Sequence, residues 1–295
     1  MAVLKRKKIG KKHYYYLEHS FKVGSKVRVL SKYLGSKVPT NIEELKDGLE
    51  FEALRKVLTN SLLRIKKGYD KEVRAYPAAE REKALEDFIV HFIYDSSKIE
   101  GSSLTYKDTE GLFLHGISPR NKPINDVQEA EGYRKAFYAM AAHKGSLTPE
   151  KIKAWHKMIF EASVLSIAGK LRKHKIMVTG SRVSFPHPES LPTMLKDFFR
   201  WYRQNRNRYN PVEFSAQIHL KFVTVHPFSD GNGRISRLLA NHVLLHAGYP
   251  LFNIKFGDRM VYYKNLETSQ LWGKDKHFVR FFIKRYLKAN KRYLK

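Results

Sequence analysis

A long run of helical periodicity constrains the fold of this chain more than any other feature. Between residues 42 and 99, apolar side chains return at the three- and four-residue spacing of one helix face. The clearest part of this stripe consists of Leu85, Phe88, Ile89, Phe92 and Ile93. A stripe of this kind usually faces a protein core. The pattern therefore predicts helix over this stretch and a fold that is mostly α.

Start signals for further helices support the same fold class. In "SLTPEKIKAWHKMIF", Thr148 or Ser146 stands ahead of Pro149, as is typical of a capped helix. Residues 210–213, "NPVE", combine an Asn cap, a proline in the first turn and a glutamate at the third position. Another apolar helix follows this one, and Gly248 is expected to end it.

Two short segments instead predict β-hairpins. Residues 13–34 alternate apolar and polar side chains on either side of Gly24, which suits a tight turn. Residues 171–186 alternate in the same way, with Gly180 and Ser181 at the turn. The predicted architecture is thus a helical protein with two small hairpins.

The composition excludes several classes of protein. The chain has no cysteine, so disulfides and thiolate metal sites are excluded. No apolar run approaches the roughly 18 residues that a membrane span needs, and the basic start lacks the apolar core of a signal peptide. We expect a cytoplasmic protein with no membrane partner.

Positive charge is concentrated at both ends of the chain. The net charge is +28, and residues 1–37 hold eleven Lys and Arg residues against one acidic residue, Glu18. The last dozen residues, "KRYLKANKRYLK", contain no acid. Basic ends attract polyanions by counterion release, which favours a nucleic-acid partner for residues 1–37. A solubilising surface explains the same charge equally well, so both interpretations stay open.

Residues 226–237, "HPFSDGNGRISR", place polar groups on a loop that enters a helix. Backbone N–H groups at a helix start form an anion site, and glycine lets the backbone approach phosphate oxygens closely. An asparagine amide and two arginines three residues apart complete a predicted polyphosphate cradle. Its members are Gly231, Asn232, Gly233, Arg234 and Arg237.

Two further residues of this segment indicate a reaction. Asp230 lies beside the cradle, where its carboxylate could hold Mg²⁺ together with substrate phosphates. His226 could accept a proton from a hydroxyl that attacks phosphorus. We therefore expect transfer from a bound nucleotide to a hydroxyl. The segment is not a P-loop, because the Gly-x-x-x-x-Gly-Lys-Ser/Thr pattern is absent.

The segment resembles the signature of the Fic family, His-x-Phe-x-Asp/Glu-Gly-Asn-Gly-Arg-x-x-Arg, at every specified position. The resemblance implies a Fic-type helical bundle with a β-hairpin flap, here residues 171–186, and transfer of AMP from ATP to a Ser, Thr or Tyr hydroxyl of a protein. It also implies that His226 is the general base, that Asp230 is the Mg²⁺ ligand, and that Arg234 and Arg237 hold the β- and γ-phosphates.

Under the same resemblance, the backbone of Gly231, Asn232 and Gly233 forms the anion hole. The phosphate-transferring Doc branch has a lysine where this chain has Gly233, which favours nucleotidyl transfer here. Tyr262 and Tyr263 fall where the family often places aromatic residues near the nucleotide. A tyrosine pair on a helix is also commonly a packing feature, so Tyr263 as part of an adenine pocket remains one of two interpretations.

A second resemblance concerns "SSKIEGSSLT". Ser96, Glu100 and Gly101 are similar to the inhibitory pattern Ser/Thr-x-x-x-Glu-Gly/Asn of many Fic proteins. The resemblance implies that Glu100 pairs with Arg237 and blocks the productive position of the γ-phosphate. The same glutamate helps to remove AMP in some relatives, so a deAMPylase remains an alternative activity.

We divide the sequence into a basic β-hairpin extension (residues 1–37), a helical region with the inhibitory helix (38–110) and a Fic core (111–295). The predicted function is a self-restrained protein adenylyltransferase that uses ATP and Mg²⁺ and modifies a protein target, the chain itself being one candidate. Homodimerisation is left open. The alternative is a regulatory protein in which residues 1–37 bind nucleic acid and the core senses a nucleotide.

Overall fold

The structure is a computed structural model that describes residues 1–177 and 180–295. Two compact units make up the chain. The first unit contains residues 1–68 and 290–295, and the second contains residues 69–289.

The first unit begins with a three-stranded antiparallel sheet in the order β1 (Val3–Ile9), β2 (Lys12–Val23) and β3 (Lys26–Gly35). The hairpin expected over residues 13–34 is present, and Gly24 takes a left-handed φ of 62° in its turn. Strand β1 was not predicted from the sequence. Its run of consecutive basic residues hides the alternation of a strand, and pairing with β2 is what makes it extended.

Two long helices account for the helical periodicity of residues 42–99. Helix α1 spans Ile42–Ala75 and helix α2 spans Ala78–Ile99. The stretch is interrupted where Pro77 lies just ahead of α2, because proline cannot donate the hydrogen bond that a continuing helix requires. Within the first unit, the sheet packs through Leu17 against Leu49 at the start of α1.

The second unit is helical in its regular structure. Its helices after α2 are α3 (Tyr106–His115), α4 (Ile124–Ala142), α5 (Pro149–Phe160), α6 (Leu191–Asn205), α7 (Pro211–Val225), α8 (Asn232–His246), α9 (Arg259–Trp272) and α10 (Lys276–Ala289). Helix α7 packs against α6, α8 and α10 and is buried over most of its length. The mostly α fold class is confirmed, and the loop between α7 and α8 begins from the most deeply buried helix of the unit.

The expected caps set the starts of two of these helices. Thr148 Oγ1 accepts a hydrogen bond from the Lys151 N–H at 3.3 Å, and Asn210 Oδ1 accepts one from the Glu213 N–H at 2.9 Å. Gly248 follows the end of α8 with a φ of 70°. These local signals therefore act as predicted, because each satisfies backbone groups that a helix end leaves without partners.

The predicted flap hairpin of residues 171–186 is different. Residues 178 and 179 lie outside the described residues, and the described residues 171–177 and 180–186 form no strand. The Arg172 side chain joins the two sides of this segment instead. It donates to the carbonyl oxygens of His174 at 3.0 Å and Pro186 at 2.6 Å. The Arg172 side chain thus joins the two sides of the segment by hydrogen bonds, as backbone hydrogen bonds between strands would in a hairpin.

In the part of the chain that the structure describes, none of the helices combines the length and the apolar character needed to cross a bilayer.

Candidate active site

The loop between α7 and α8 is held in shape by two left-handed residues. His226 ends α7 with a φ of 50°, and Gly231 starts α8 with a φ of 76°. Gly231 is also confined by packing, because a Cβ there would come within 2.5 Å of the Phe160 ring. A non-glycine residue at this position would therefore be strained in its backbone and would clash with α5.

Asn232 closes the loop from inside. Its side-chain oxygen accepts from the Phe228 N–H at 2.9 Å, and its side-chain N–H donates to the Phe228 carbonyl at 2.8 Å. The amide predicted to reach a phosphate thus makes two hydrogen bonds to the Phe228 backbone in this structure, and it is buried. The backbone N–H groups in the first turn of α8 have no acceptor within the helix, so they could donate hydrogen bonds to an anion.

His156 on α5, which was not predicted from the sequence as a site residue, contacts the loop between α7 and α8. Its Nε2 lies 3.0 Å from the Asp230 carbonyl, and its Nδ1 lies 3.0 Å from the Gly169 N–H. Nδ1 therefore accepts, and Nε2 carries the proton. Burial lowers the pKa of His156 to about 4, so the ring is neutral at physiological pH. Its ring stacks on Phe228 with the centroids 3.8 Å apart.

His226 is held in one tautomer by its own helix. Its Nδ1 lies 3.0 Å from the Val223 carbonyl. Because a carbonyl can only accept, Nδ1 carries the proton and Nε2 is the basic atom. Burial, together with the positive charge of Arg172, lowers the pKa of His226 to about 4, although two nearby carboxylates act in the opposite direction. The ring is therefore neutral near pH 7 and able to accept a proton.

The segment predicted as a flap contacts this histidine directly. Phe185 lies over the His226 ring with the centroids 4.0 Å apart. Arg172 donates from Nε to the His226 carbonyl at 2.8 Å, and its N–H donates to the Pro227 carbonyl at 3.0 Å. Arg172 is buried and was not foreseen from the sequence. It fixes the position of the flap segment relative to the histidine.

Arg234 lies on α8 between two carboxylates. Its guanidinium pairs with Glu129 of α4 and with Asp230, the latter at 3.1 Å. It also lies over the Phe160 ring, 4.6 Å from the centroid. The side chain of Arg234 is only 4% exposed, whereas that of Asp230 is 55% exposed. Glu129 therefore orients the buried arginine from the protein interior, and the Asp230 carboxylate faces solvent.

Arg237, one turn later, is buried among groups from three helices. It donates from Nε to Ser96 Oγ at 2.6 Å and from Nη1 to Tyr262 Oη at 3.2 Å. From Nη2 it donates to Glu100 Oε1 at 2.5 Å. The Glu100 carboxylate is the leading cause that opposes desolvation and raises the pKa of Arg237. Arg237 is therefore a permanent cation that is paired with the end of α2.

These contacts form a hydrogen-bond chain with a fixed direction. Tyr133 Oη donates to the Arg234 carbonyl at 2.9 Å, so it accepts from Ser96 Oγ at 3.0 Å. Ser96 in turn accepts from Arg237. Each hydroxyl of the chain is used once as donor and once as acceptor. Ser96 therefore connects both arginines of the signature to the inner face of α2.

Glu100 follows directly after the last residue of α2, and Gly101 continues the turn with a φ of 103°. The Glu100 carboxylate also lies close to the start of α8. A Cβ built on Gly233 would come within 2.2 Å of its Oε1. The absence of a side chain at Gly233 thus leaves the space that the Glu100 carboxylate fills.

The two tyrosines of α9 have different surroundings. Tyr262 is buried and hydrogen-bonded between Arg237 and His219, at 3.1 Å from His219 Nε2, so it belongs to the packing around the arginine. Tyr263 is half-buried and donates to the Ile99 carbonyl at 3.0 Å. It therefore contacts the last turn of α2, immediately before Glu100.

The helical fold is that of Fic proteins. A solved structure of Fic-1 from C. elegans shares it, with a TM-score of 0.74 at 23% identity over 86% of this chain and 77% of that chain. Residues 146–244 match the family described as "Fic/DOC family". The chain therefore carries a Fic domain.

Two curated relatives extend the similarity beyond that segment. A protein from Nematostella vectensis named "Protein adenylyltransferase Fic" is 30% identical over 205 residues, which is 68% of this chain and 47% of the relative. A protein of the same name from Drosophila erecta is 32% identical over 208 residues, or 69% of this chain and 41% of the relative. The chain thus spans less than half of the length of these relatives.

Proposed function

We propose that this chain is a protein adenylyltransferase, which transfers AMP from ATP to a Ser, Thr or Tyr hydroxyl of a protein. The observation that carries the proposal is the position of His226, whose neutral ring has a basic Nε2 and which stands where the loop from α7 to α8 begins. The name shared by the curated relatives supports the same chemistry.

The proposed step follows from the groups present. The hydroxyl oxygen of the target attacks the α-phosphorus of ATP and forms a new P–O bond, while the bond to the β-phosphate breaks and pyrophosphate leaves. The hydroxyl proton goes to His226 Nε2. The backbone N–H groups at the start of α8 and the guanidinium of Arg234 hold the phosphates and stabilise the leaving group.

Asp230 fits the role of a Mg²⁺ ligand in this reaction. Among the described residues, no three histidine or carboxylate side chains come together as a metal cage. Mg²⁺ bound with a nucleotide needs only one or two protein carboxylates, because phosphates and water complete its octahedron. The exposed carboxylate of Asp230 beside the helix start meets that requirement. When bound, Mg²⁺ would neutralise charge on the departing phosphates.

We further propose that Glu100 restrains the reaction. Arg237 is engaged by Glu100 and cannot at the same time orient a terminal phosphate. Ser96 holds the same guanidinium from the side, and Gly101 allows the chain to turn after the glutamate. The target would be a protein, with the chain itself as one candidate.

The test uses ATP labelled at the α- or the γ-phosphate, with Mg²⁺ and the full chain. We expect α-label, and no γ-label, to appear on protein. His226→Ala should abolish labelling, whereas His115→Ala, at an exposed histidine of α3, should not. Glu100→Gly and Glu100→Gln should raise labelling, and Glu131→Gln, at an exposed position of α4, should not.

Each part of the proposal can fail separately. Transfer of γ-label would show phosphoryl transfer and would overturn the reaction type. Equal α-labelling by wild type and Glu100→Gly would overturn the restraint and leave the reaction standing. Labelling by His226→Ala at the wild-type rate would show that His226 is not the base.

A further inference from the structure

The sheet of the first unit has one face that the function proposed above does not use. Residues paired across an antiparallel sheet point to the same side. Lys5 pairs with Tyr16, and Tyr16 pairs with Tyr33, so one row crosses all three strands. In the neighbouring row, Lys7 pairs with Tyr14. We call the face that carries these five residues the tyrosine face.

The opposite side of the sheet is the one that packs on α1. Leu17 is fully buried and forms a small core with Ala2 and Leu49. Because side chains alternate along a strand, Tyr16 points away from that core. Within this unit the tyrosine face is therefore the outer face of the sheet.

The tyrosines of this face form one continuous aromatic surface. The Tyr16 and Tyr33 rings lie 5.2 Å apart between centroids, and those of Tyr14 and Tyr33 lie 6.0 Å apart. Tyr33 is 56% exposed, although a large aromatic side chain usually gains from burial. The apolar area continues along β3 through Val27 and Val29, which are also exposed.

Positive charge borders this aromatic surface. The Lys7 ammonium lies 4.6 Å from the centroid of the Tyr16 ring. Lys5 and Lys7 both pair with Glu18, at 2.8 and 3.0 Å, so one carboxylate positions two cations and neutralises only one of them. Lys12 pairs across the sheet with Ile9, and Lys22 pairs with Val27. This register places both lysines on the tyrosine face. The face therefore carries an excess of positive charge.

We propose that the tyrosine face binds single-stranded RNA. The exposed Tyr33 ring and the half-buried rings of Tyr14 and Tyr16 beside it present surfaces on which unpaired bases can stack, and flanking lysines can neutralise the phosphates between those bases. A duplex keeps its bases stacked inside and could use only the lysines. Tyrosine hydroxyls both donate and accept, which suits the ribose 2′-hydroxyl and favours RNA over DNA.

The test measures binding of a fluorescein-labelled 12-nucleotide oligo(U) RNA to the full chain by fluorescence anisotropy over a range of salt concentrations. We expect binding that weakens with salt and is tighter than for oligo(dT) or duplex RNA of the same length. Tyr16→Leu combined with Tyr33→Leu should weaken binding at least about fivefold, because each lost stacking contact carries that much or more. Tyr16→Phe with Tyr33→Phe keeps the rings and should retain most of the binding.

The lysines are tested by the salt dependence. Lys5→Gln with Lys7→Gln should lower the slope of log affinity against log salt by about 1.4, since each single-strand phosphate contact contributes about 0.7. The matched control, Lys107→Gln with Lys196→Gln, removes the same charge from exposed positions on α3 and α6 and should leave the slope unchanged. Far-UV circular dichroism checks that each variant is folded.

Several outcomes would overturn the proposal. Equal binding of duplex and single-stranded RNA, or unchanged RNA binding by a folded Tyr16→Leu, Tyr33→Leu variant, would show that the lysines alone bind RNA and that the rings do not stack on bases. Tighter binding of DNA would overturn the assignment to RNA. A dimer that is seen by sedimentation and dissociates in the Leu variant would assign the face to a second copy of the chain.

Discussion

At the scale of single residues, Gly233 and the carboxylate of Glu100 lie close together. The glutamate occupies space that any side chain at position 233 would need. Two residues 133 positions apart in the sequence are thus fitted to each other. The fit predicts an energetic coupling between them that can be measured without any assay of activity.

Gly233→Ala should destabilise the chain by about 1–3 kcal/mol, because its Cβ would overlap Glu100 Oε1 and displace that carboxylate from its ion pair with the buried Arg237. In a Glu100→Gly background the overlap is gone, so the same change should cost much less. Thermal unfolding of the four proteins, followed by circular dichroism, measures the coupling. Gly111→Ala is the matched control, since a Cβ there makes only ordinary contacts at 3.8 Å. An equal loss from Gly233→Ala in both backgrounds would contradict the prediction.

The lowered pKa of His226 predicts how AMP transfer should depend on pH at acidic pH. Its pKa is lowered to about 4, so the base stays unprotonated well below the usual histidine range. In the Glu100→Gly variant, kcat/KM for AMP transfer should therefore hold nearly constant from pH 7 down to about pH 5 and fall below that. Removing the Glu100 carboxylate moves the pKa further in the same direction, because that charge raises it. A fall in kcat/KM centred near pH 6.5 would contradict this result.

At the scale of elements, the segment over the site is fixed by one side chain. Arg172 donates to the carbonyls of His174, Pro186 and His226 and so ties three stretches of backbone together. Each bond to a charged donor is stronger than a neutral one. A target protein that lies against this segment would therefore meet a surface whose position is set relative to His226.

Arg172→Met should loosen the segment while leaving the nucleotide site in place. We expect faster limited digestion by chymotrypsin at Leu171, Met177 or Phe185, and slower AMP transfer with little change in ATP binding. Arg182→Met is the control, because its side chain is 81% exposed and pairs only with Glu267 among the ion pairs of the described residues. Unchanged digestion in Arg172→Met would show that the three hydrogen bonds do not hold the segment.

The elements also show what the sequence could predict. Thr148 and Asn210 act as caps as expected, because a cap is decided by neighbours within one turn. The signature residues lie together because they are consecutive. Glu129 and His156 were missed, since each gains its role only when α4 and α5 pack beside the loop. No local pattern in the sequence marks such a partner.

At the scale of the whole molecule, buried neutral histidines make stability depend on pH. Burial lowers the pKa of His156 to about 4 and that of His242 to about 3, and it lowers that of His219 well below the ordinary value. In the unfolded chain these groups titrate near pH 6.5 and so bind more protons than the folded chain between those values. Stability is therefore fully present above pH 6.5 and is lost as the pH falls through the unfolded pKa towards the folded one.

The urea midpoint should accordingly decrease from pH 7 to pH 4.5. His156 alone, with a pKa lowered from 6.5 to about 4, contributes up to about 3 kcal/mol of this loss once the pH is below 4. Equilibrium unfolding followed by tryptophan fluorescence measures the effect, and pH 7 to 8 is the reference interval in which these histidines should cause no change. A midpoint that stays constant down to pH 4.5 would mean that these histidines remain accessible to protons in the folded chain.

The ion pair between Glu100 and Arg237 has a consequence for how a nucleotide competes. The carboxylate belongs to the same chain as the guanidinium, so it acts as a tethered ligand whose effective concentration is set by geometry and not by the amount of protein. Dilution cannot remove it. Under the restraint proposed above, a nucleotide would have to displace Glu100 at every protein concentration, and the ratio of nucleotide Kd between wild type and Glu100→Gly would report how strongly Arg237 holds the carboxylate.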